Sequence, residues 1–148
     1  MFSENYRLLK DRDYLLLEKQ QVHRTQSIEI TENQEVTLEQ GRLTLYSVTN
    51  VTEDRGGKVI FVDKDKLKLP LILRKWKEGD YFYPSGMTGR KKISKYFKDE
   101  KFSLIDKENC WLLCSGDEIV WVVGKRSDRR FEIEQETNNI IKIELQLL

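Results

Sequence analysis

Between Arg74 and Lys101 the chain carries nine basic side chains and four acidic ones, a net of +5, while the rest of its 148 residues carries −4. A basic block on an acidic body points to a local anionic partner rather than to general stickiness; the bland reading is a solvated, charge-rich surface. Within the block, Pro84-Ser85-Gly86-Met87-Thr88-Gly89 runs directly into Arg90-Lys91-Lys92-Ile93-Ser94-Lys95. Gly86 and Gly89 let the backbone approach another molecule closely, and Thr88 or Ser85 is placed to cap a helix that follows. Ile93, Tyr96 and Phe97 fall at i, i+3 and i+4, so a helix over 90–99 has one apolar stripe. Lys91, Lys95 and Lys98 then share the opposite face, with Arg90 and Lys92 on its flanks. Glycine loop, helix start and lysine face together describe a ridge that binds phosphate.

Other chemistries fail on spacing or number. A nucleotide-binding P-loop needs G-x-x-x-x-G-K-[ST] after a buried parallel strand, and Gly86-Met87-Thr88-Gly89-Arg90-Lys91 has neither the spacing nor the hydroxyl. Cys110 and Cys114, four residues apart in a strand, lie roughly 13 Å from each other, too far to bridge or to chelate together. They read as buried structural thiols. The one histidine, His23, sits in a Gln-rich stretch with no partner placed by a motif. No catalytic residue and no metal site is assigned. The chain alone does not look like an enzyme and needs no cofactor of its own.

The elements that must position the ridge are mostly strands. Hydrophobic residues make up 39%, enough for one core. Arg7–Lys10 and Tyr14–Lys19 flank Asp11-Arg12-Asp13 as a hairpin, and Gly56-Gly57 is the strongest turn signal. Residues 27–34 have no clear pattern. Val36 and Leu38 alternate with polar residues up to the Gln40-Gly41 turn, and Leu43 and Leu45 continue beyond it. Val59-Ile60-Phe61-Val62 is apolar on both faces, which predicts an interior strand. Leu67, Leu69, Leu71 and Leu73 alternate along a strand that Pro70 confines to an edge or a bulge. Ser115-Gly116-Asp117 joins a hairpin, and the alternation of Ile141, Ile143, Leu145 and Leu147 closes the sheet. No apolar run approaches the roughly 18 residues of a membrane span, and MFSENYRLLK is not signal-like, so a cytoplasmic location is expected.

Three segments carry a family resemblance. They are Leu73-Arg74-Lys75-Trp76-Lys77-Glu78-Gly79-Asp80, then Gly86-Met87-Thr88-Gly89-Arg90-Lys91-Lys92-Ile93, then Trp121-Val122-Val123-Gly124-Lys125-Arg126-Ser127-Asp128-Arg129-Arg130-Phe131. In this order and spacing they resemble the C-terminal domain of bacterial tRNA(Ile)-lysidine synthetases. Tyr6–Leu15 is similar to the segment that leads into that domain. Ser94-Lys95-Tyr96 is more basic than the family pattern, and Asp106-Lys107-Glu108 stands where a Pro-Arg pair is expected.

The resemblance implies an α+β, β-rich fold with sandwich-like sheets and one short basic amphipathic helix, related to a domain of the phenylalanyl-tRNA synthetase β subunit. It implies a lead-in over residues 1–50 and a domain over 51–148 that grips the acceptor stem of an isoleucine tRNA. The parent enzyme is a ligase that uses ATP and Mg to convert an anticodon cytidine to lysidine. That chemistry belongs to an N-terminal catalytic domain whose S-G-G-x-D-S loop these residues lack. Partners are therefore the tRNA and that domain, with oligomerisation left open. On this reading Arg74, Arg90, Lys91, Lys92, Lys95, Arg126 and Arg129 contact tRNA, while Gly86 and Gly89 let the backbone reach phosphate. Trp76, Tyr81 and Tyr83 read as core rim before they read as stacking platforms, and Asp128 stands ready to pair with Arg126 or Arg129. The alternative is a β-domain whose basic helix docks an acidic protein.

Overall fold

The computed structural model describes residues 2–3, 5–6, 27–52 and 58–147. The expected hairpin around Asp11-Arg12-Asp13, the Gly56-Gly57 turn and His23 lie outside them. In chain order the strands are β1 (Phe2–Ser3), β2 (Asn5–Tyr6), β3 (Ile28–Ile30), β4 (Gln34–Thr37), β5 (Gly41–Val48), β6 (Val59–Asp63), β7 (Leu71–Lys75) and β8 (Tyr81–Phe82). They continue with β9 (Lys91–Lys92), β10 (Trp111–Ser115), β11 (Glu118–Val122) and β12 (Ile140–Leu147). The α-helices are α1 (Ile93–Asp99) and α2 (Leu104–Asn109).

Alternation of apolar residues builds two four-stranded antiparallel sheets, ordered β11-β10-β7-β3 and β4-β5-β12-β6. Leu43, Leu45, Ile141, Ile143 and Leu145 from the second meet Leu71, Leu73, Trp111, Leu113 and Val120 from the first in one buried cluster. That is a sandwich, and each fully buried Leu or Ile contributes about 1.5–3 kcal/mol to it. Leu112, Cys114, Ile119 and Val122 face the other way, under Phe82 and the α1 stripe of Ile93, Tyr96 and Phe97. The first sheet is thus covered on both faces, which is why β10 is buried at every position. A register shift between Leu113 and Cys114 lets Val120 and Trp121 both turn to the sandwich before Val122 returns to the helix side. The two thiols are free and buried as read, and burial pushes Cys110 up to about 12 and Cys114 up to about 11.

Several expectations need correction. β7 is interior, between β10 and β3, because it begins at Leu71 and so leaves Pro70 outside the ladder. β6 is an edge strand, partly covered by an isolated bridge between Val62 and Glu132. Strands β3–β5 complete both sheets and share the core with the later strands. Among the described residues there are two short α-helices rather than one. The signal for α2 is Ser103-x-x-Asp106, a capping box in which Ser103 Oγ accepts from Asp106 N at 3.0 Å and Asp106 Oδ2 accepts from Ser103 N at 2.9 Å. Among the described residues no helix is long and apolar enough to cross a membrane.

Candidate nucleic-acid interface

The helix of the basic block starts at Ile93 instead of Arg90. Lys91 and Lys92 pair in extended form with Phe82 and Tyr81, and neither Thr88 nor Ser85 caps α1. Its N-cap is Lys92, without a side-chain bond, and Ile93 N donates to Asp80 O at 2.9 Å. Arg90, Lys91 and Lys92 therefore belong to a hairpin whose loop spans 83–90, and Lys95 comes from the helix beside it.

The base of that loop is fixed by the segment after β11. Ser85 N donates to Ser127 O at 2.8 Å, and Arg129 N to Tyr83 O at 2.8 Å. Asp128, only 1% exposed, accepts from Tyr83 N at 2.9 Å and from Arg130 N at 2.8 Å. Its carboxylate also takes Arg130 Nε at 3.0 Å and Nη2 at 2.9 Å. Asp128 thus pairs with Arg130, not with Arg126 or Arg129. The Asp128 carboxylate outweighs burial and raises the Arg130 pKa. Further out, Arg126 Nη1 donates to Ser85 O at 2.9 Å, and Arg129 Nη1 donates to Met87 O at 3.2 Å and Gly89 O at 2.8 Å. Gly86 and Gly89 hold φ of +81° and +72°, a backbone that favours glycine.

Of the residues read from sequence, four line one depression of about 290 Å³: Arg90, Lys91, Lys92 and Lys95, together with Pro84, Met87 and Thr88. Their freedom differs. Lys91 is bound to Asp99 at 2.6 Å with its side chain 17% exposed, which ties β9 to the end of α1. Lys95 reaches the same carboxylate at 3.4 Å but is 66% exposed, so that contact is weak. The Lys91 bond, reinforced by Lys95, holds the Asp99 carboxyl below its usual range. Arg90 lies 4.6 Å from the Tyr81 ring centroid, and neither it nor Lys92 has an acidic partner among the described residues.

Arg74 stands apart from this group. It forks onto Asp80 through Nη1 at 2.9 Å and Nη2 at 3.0 Å. Trp76 packs edge-on to Phe97 at 5.2 Å, while Tyr83 carries the Arg129 and Arg130 guanidinium groups at 5.0 and 4.3 Å. The sequence reading places Tyr83 at the core rim and offers Arg126 or Arg129 to Asp128, and it gives Arg130 no role; the available signal for the true pairing is Asp-Arg-Arg, an Asp able to turn back onto the second N–H after it.

Asp80 yields a pH prediction. Burial alone would raise its pKa, but bonds from Arg74, the Lys77 N–H and the Lys77 ammonium outweigh it and leave the carboxyl below its usual value. A group depressed in the folded state stabilises above its unfolded pKa of about 3.9 and loses that contribution as pH falls further. Asp80→Asn should cost about 2 kcal/mol at neutral pH. The gap from wild type should close below about pH 4 in urea-unfolding midpoints taken down the acid range.

The loop does not fit a nucleoside triphosphate. It connects two antiparallel strands, not a parallel strand and a helix, and Lys92 follows Lys91 where a hydroxyl would be needed. Among the described residues no group of His, Cys, Asp and Glu is placed to hold a metal ion.

Residues 71–145 match the family described as the TilS substrate C-terminal domain. A tRNA(Ile)-lysidine synthase of Parabacteroides distasonis is 43% identical over 143 residues, covering 95% of this chain and 33% of that protein. The tRNA(Ile)-lysidine synthase of Bacteroides thetaiotaomicron is 38% identical over 94% of this chain and 31% of its own length. The chain thus spans about a third of these curated relatives. The crystal structure of a TilS C-terminal domain superposes with a TM-score of 0.73 over 83% of this chain and 97% of the other, at 21% identity, a likeness of fold.

Proposed function

Because this chain belongs to the TilS C-terminal domain family, which its sequence shares with tRNA(Ile)-lysidine synthases, we propose that it binds the tRNA of such an enzyme. It presents that tRNA to a catalytic part outside these 148 residues, and the ATP and Mg of the lysidine-forming reaction belong to that part. The substrate is an isoleucine tRNA, gripped at its acceptor stem, and the work is done in the cytoplasm. The observation that carries this reading is the depression where Arg90, Lys92 and Lys95 converge from loop, strand and helix beside a glycine loop. A double-stranded RNA stem presents mainly phosphates and 2′-hydroxyls to side chains, because its major groove is too deep and narrow for them. Neutralising phosphates suits three cations on one face. Reading a base edge does not follow from them.

The test is a salt titration of binding to an acceptor-stem duplex. Three neutralised phosphates give a log–log slope of about −2.7. Lys92→Ala with Lys95→Ala should reduce its magnitude by about 2 and leave stability within about 0.5 kcal/mol, since both side chains are exposed. Lys91→Ala, which breaks an internal tie, should change the slope less. An unchanged slope in the double variant would mean that this face meets water or an acidic protein instead of RNA.

A further inference from the structure

Arg126 and Arg129 turn inward, onto the loop, rather than out towards a ligand. We propose that they are positioning residues that hold loop 84–90 as a cradle of backbone N–H groups for one phosphate, with Arg129 as the main clamp. The proposal deepens the tRNA reading, since the cradle borders the same depression. Arg129 Nη1 takes the carbonyls of both Met87 and Gly89, at 3.2 and 2.8 Å, so the oxygens on either side of Thr88 are held by one guanidinium. Arg126 does the same for Ser85 O at 2.9 Å. The Ser85 and Met87 N–H groups are already used, by Ser127 O and Pro84 O. The N–H groups of Gly86, Thr88 and Gly89 find no protein acceptor among the described residues.

Amides left over in a loop that alternates into positive φ form an anion-binding concavity, and Gly86 and Gly89 supply that alternation. A side chain at Gly89 would meet no atom within 4 Å, so the space beside it is open to a ligand. A carbonyl released from Arg129 could instead turn its oxygen towards the anion and repel it. Arg129 is anchored through its main chain, whose N–H donates to Tyr83 O at 2.8 Å, and its guanidinium lies 5.0 Å from the Tyr83 ring. Lysine keeps the charge but lacks the planar guanidinium that lies by the Tyr83 ring and aims Nη1 between the two carbonyls.

The experiment is a ¹H–¹⁵N titration of the chain with inorganic phosphate. In the wild type the amides of Gly86, Thr88 and Gly89 should shift together and saturate. In Arg129→Lys the same transition should weaken about tenfold, a preorganisation loss of about 1.4 kcal/mol, with core resonances unmoved. Gly89→Ala, which strains the loop without touching any charge, should show a similar loss. Amides that stay still in the wild type, or an Arg129→Lys variant that binds as the wild type does, would overturn the cradle. With the acceptor-stem duplex, Arg129→Lys and Arg129→Ala should both weaken binding while keeping the wild-type salt slope, because neutral amides release no counterions. A slope reduced by about 1 in Arg129→Ala and restored in Arg129→Lys would make Arg129 a direct phosphate contact and sink its role as clamp. Saturable phosphate binding without duplex binding would leave the cradle standing and remove the tRNA reading. Duplex binding with silent loop amides would do the reverse.

Discussion

Asp128→Ala is expected to destabilise the chain by about 3–5 kcal/mol, the cost of removing one partner from a buried ion pair. The carboxylate side chain is fully enclosed. Its loss strands the Tyr83 N–H and leaves the Arg130 guanidinium, 27% exposed, with only the outlying Glu118 at 3.0 Å. Urea unfolding should report the loss as a lower midpoint at an unchanged slope. Hydrogen exchange should show the amides of Ser85 and Arg129 opening first, because Asp128 sits between the two backbone bonds that fix the loop. A loss under about 1 kcal/mol would mean that the carboxylate is solvated in solution and that the loop is held by its backbone alone.

Phe97→Ala should cost a comparable amount, about 3–5 kcal/mol, through a different mechanism. Phe97 is fully buried, stacked on Phe102 at 4.7 Å and set edge-on to Trp76 at 5.2 Å. No neighbour can collapse fully into the space it leaves, so lost transfer energy and a residual cavity add together. Because α1 is only seven residues long, it has little helical stability of its own and stays in place through this contact. The variant should therefore lose order at Lys95 while the sandwich survives, and its duplex affinity should fall with its stability. Phe97→Leu, which retains most of the volume, should recover more than half of both losses.

The sandwich was legible because its strands alternate: Leu43 with Leu45, and Ile141 through Leu145, point where their spacing puts them. The apolar stripe of α1 was equally plain, yet its start was misplaced by three residues. Periodicity specifies a face and says nothing of where a helix ends when no side chain caps it, and Lys92 provides none. β6 was taken for interior because apolar residues on both faces usually mean neighbours on both sides. Pro70 reads as the mark of an edge or a bulge, yet it stands one residue before the ladder begins. At the site, residue types nominated the right neighbourhood but not the division of labour. Arg74, Lys91, Arg126 and Arg129 are as basic as Arg90, Lys92 and Lys95, and only distances separate those spent inside the protein from those left over. The Asp128–Arg130 pairing is hidden for the same reason, since the four bonds its carboxylate accepts include one from Tyr83, 45 positions away.

The position of β6 has a bearing on solubility. Val59-Ile60-Phe61-Val62 stands at a sheet margin among the described residues, and backbone groups beside apolar side chains at such a margin are the kind of surface on which one molecule can add to the next. What blocks that addition is the far end of the same segment that shapes the loop. Glu132 bridges to Val62, and Lys66 reaches back to Glu132 O at 3.0 Å and to the Glu134 carboxylate. Residues 127–134 thus act as a bumper for the sheet margin as well as a brace for the loop. Selection against self-assembly and selection for ligand binding would act on one short stretch of chain, and a change that loosens the stretch would be felt first as aggregation in storage, before any loss of affinity was measured.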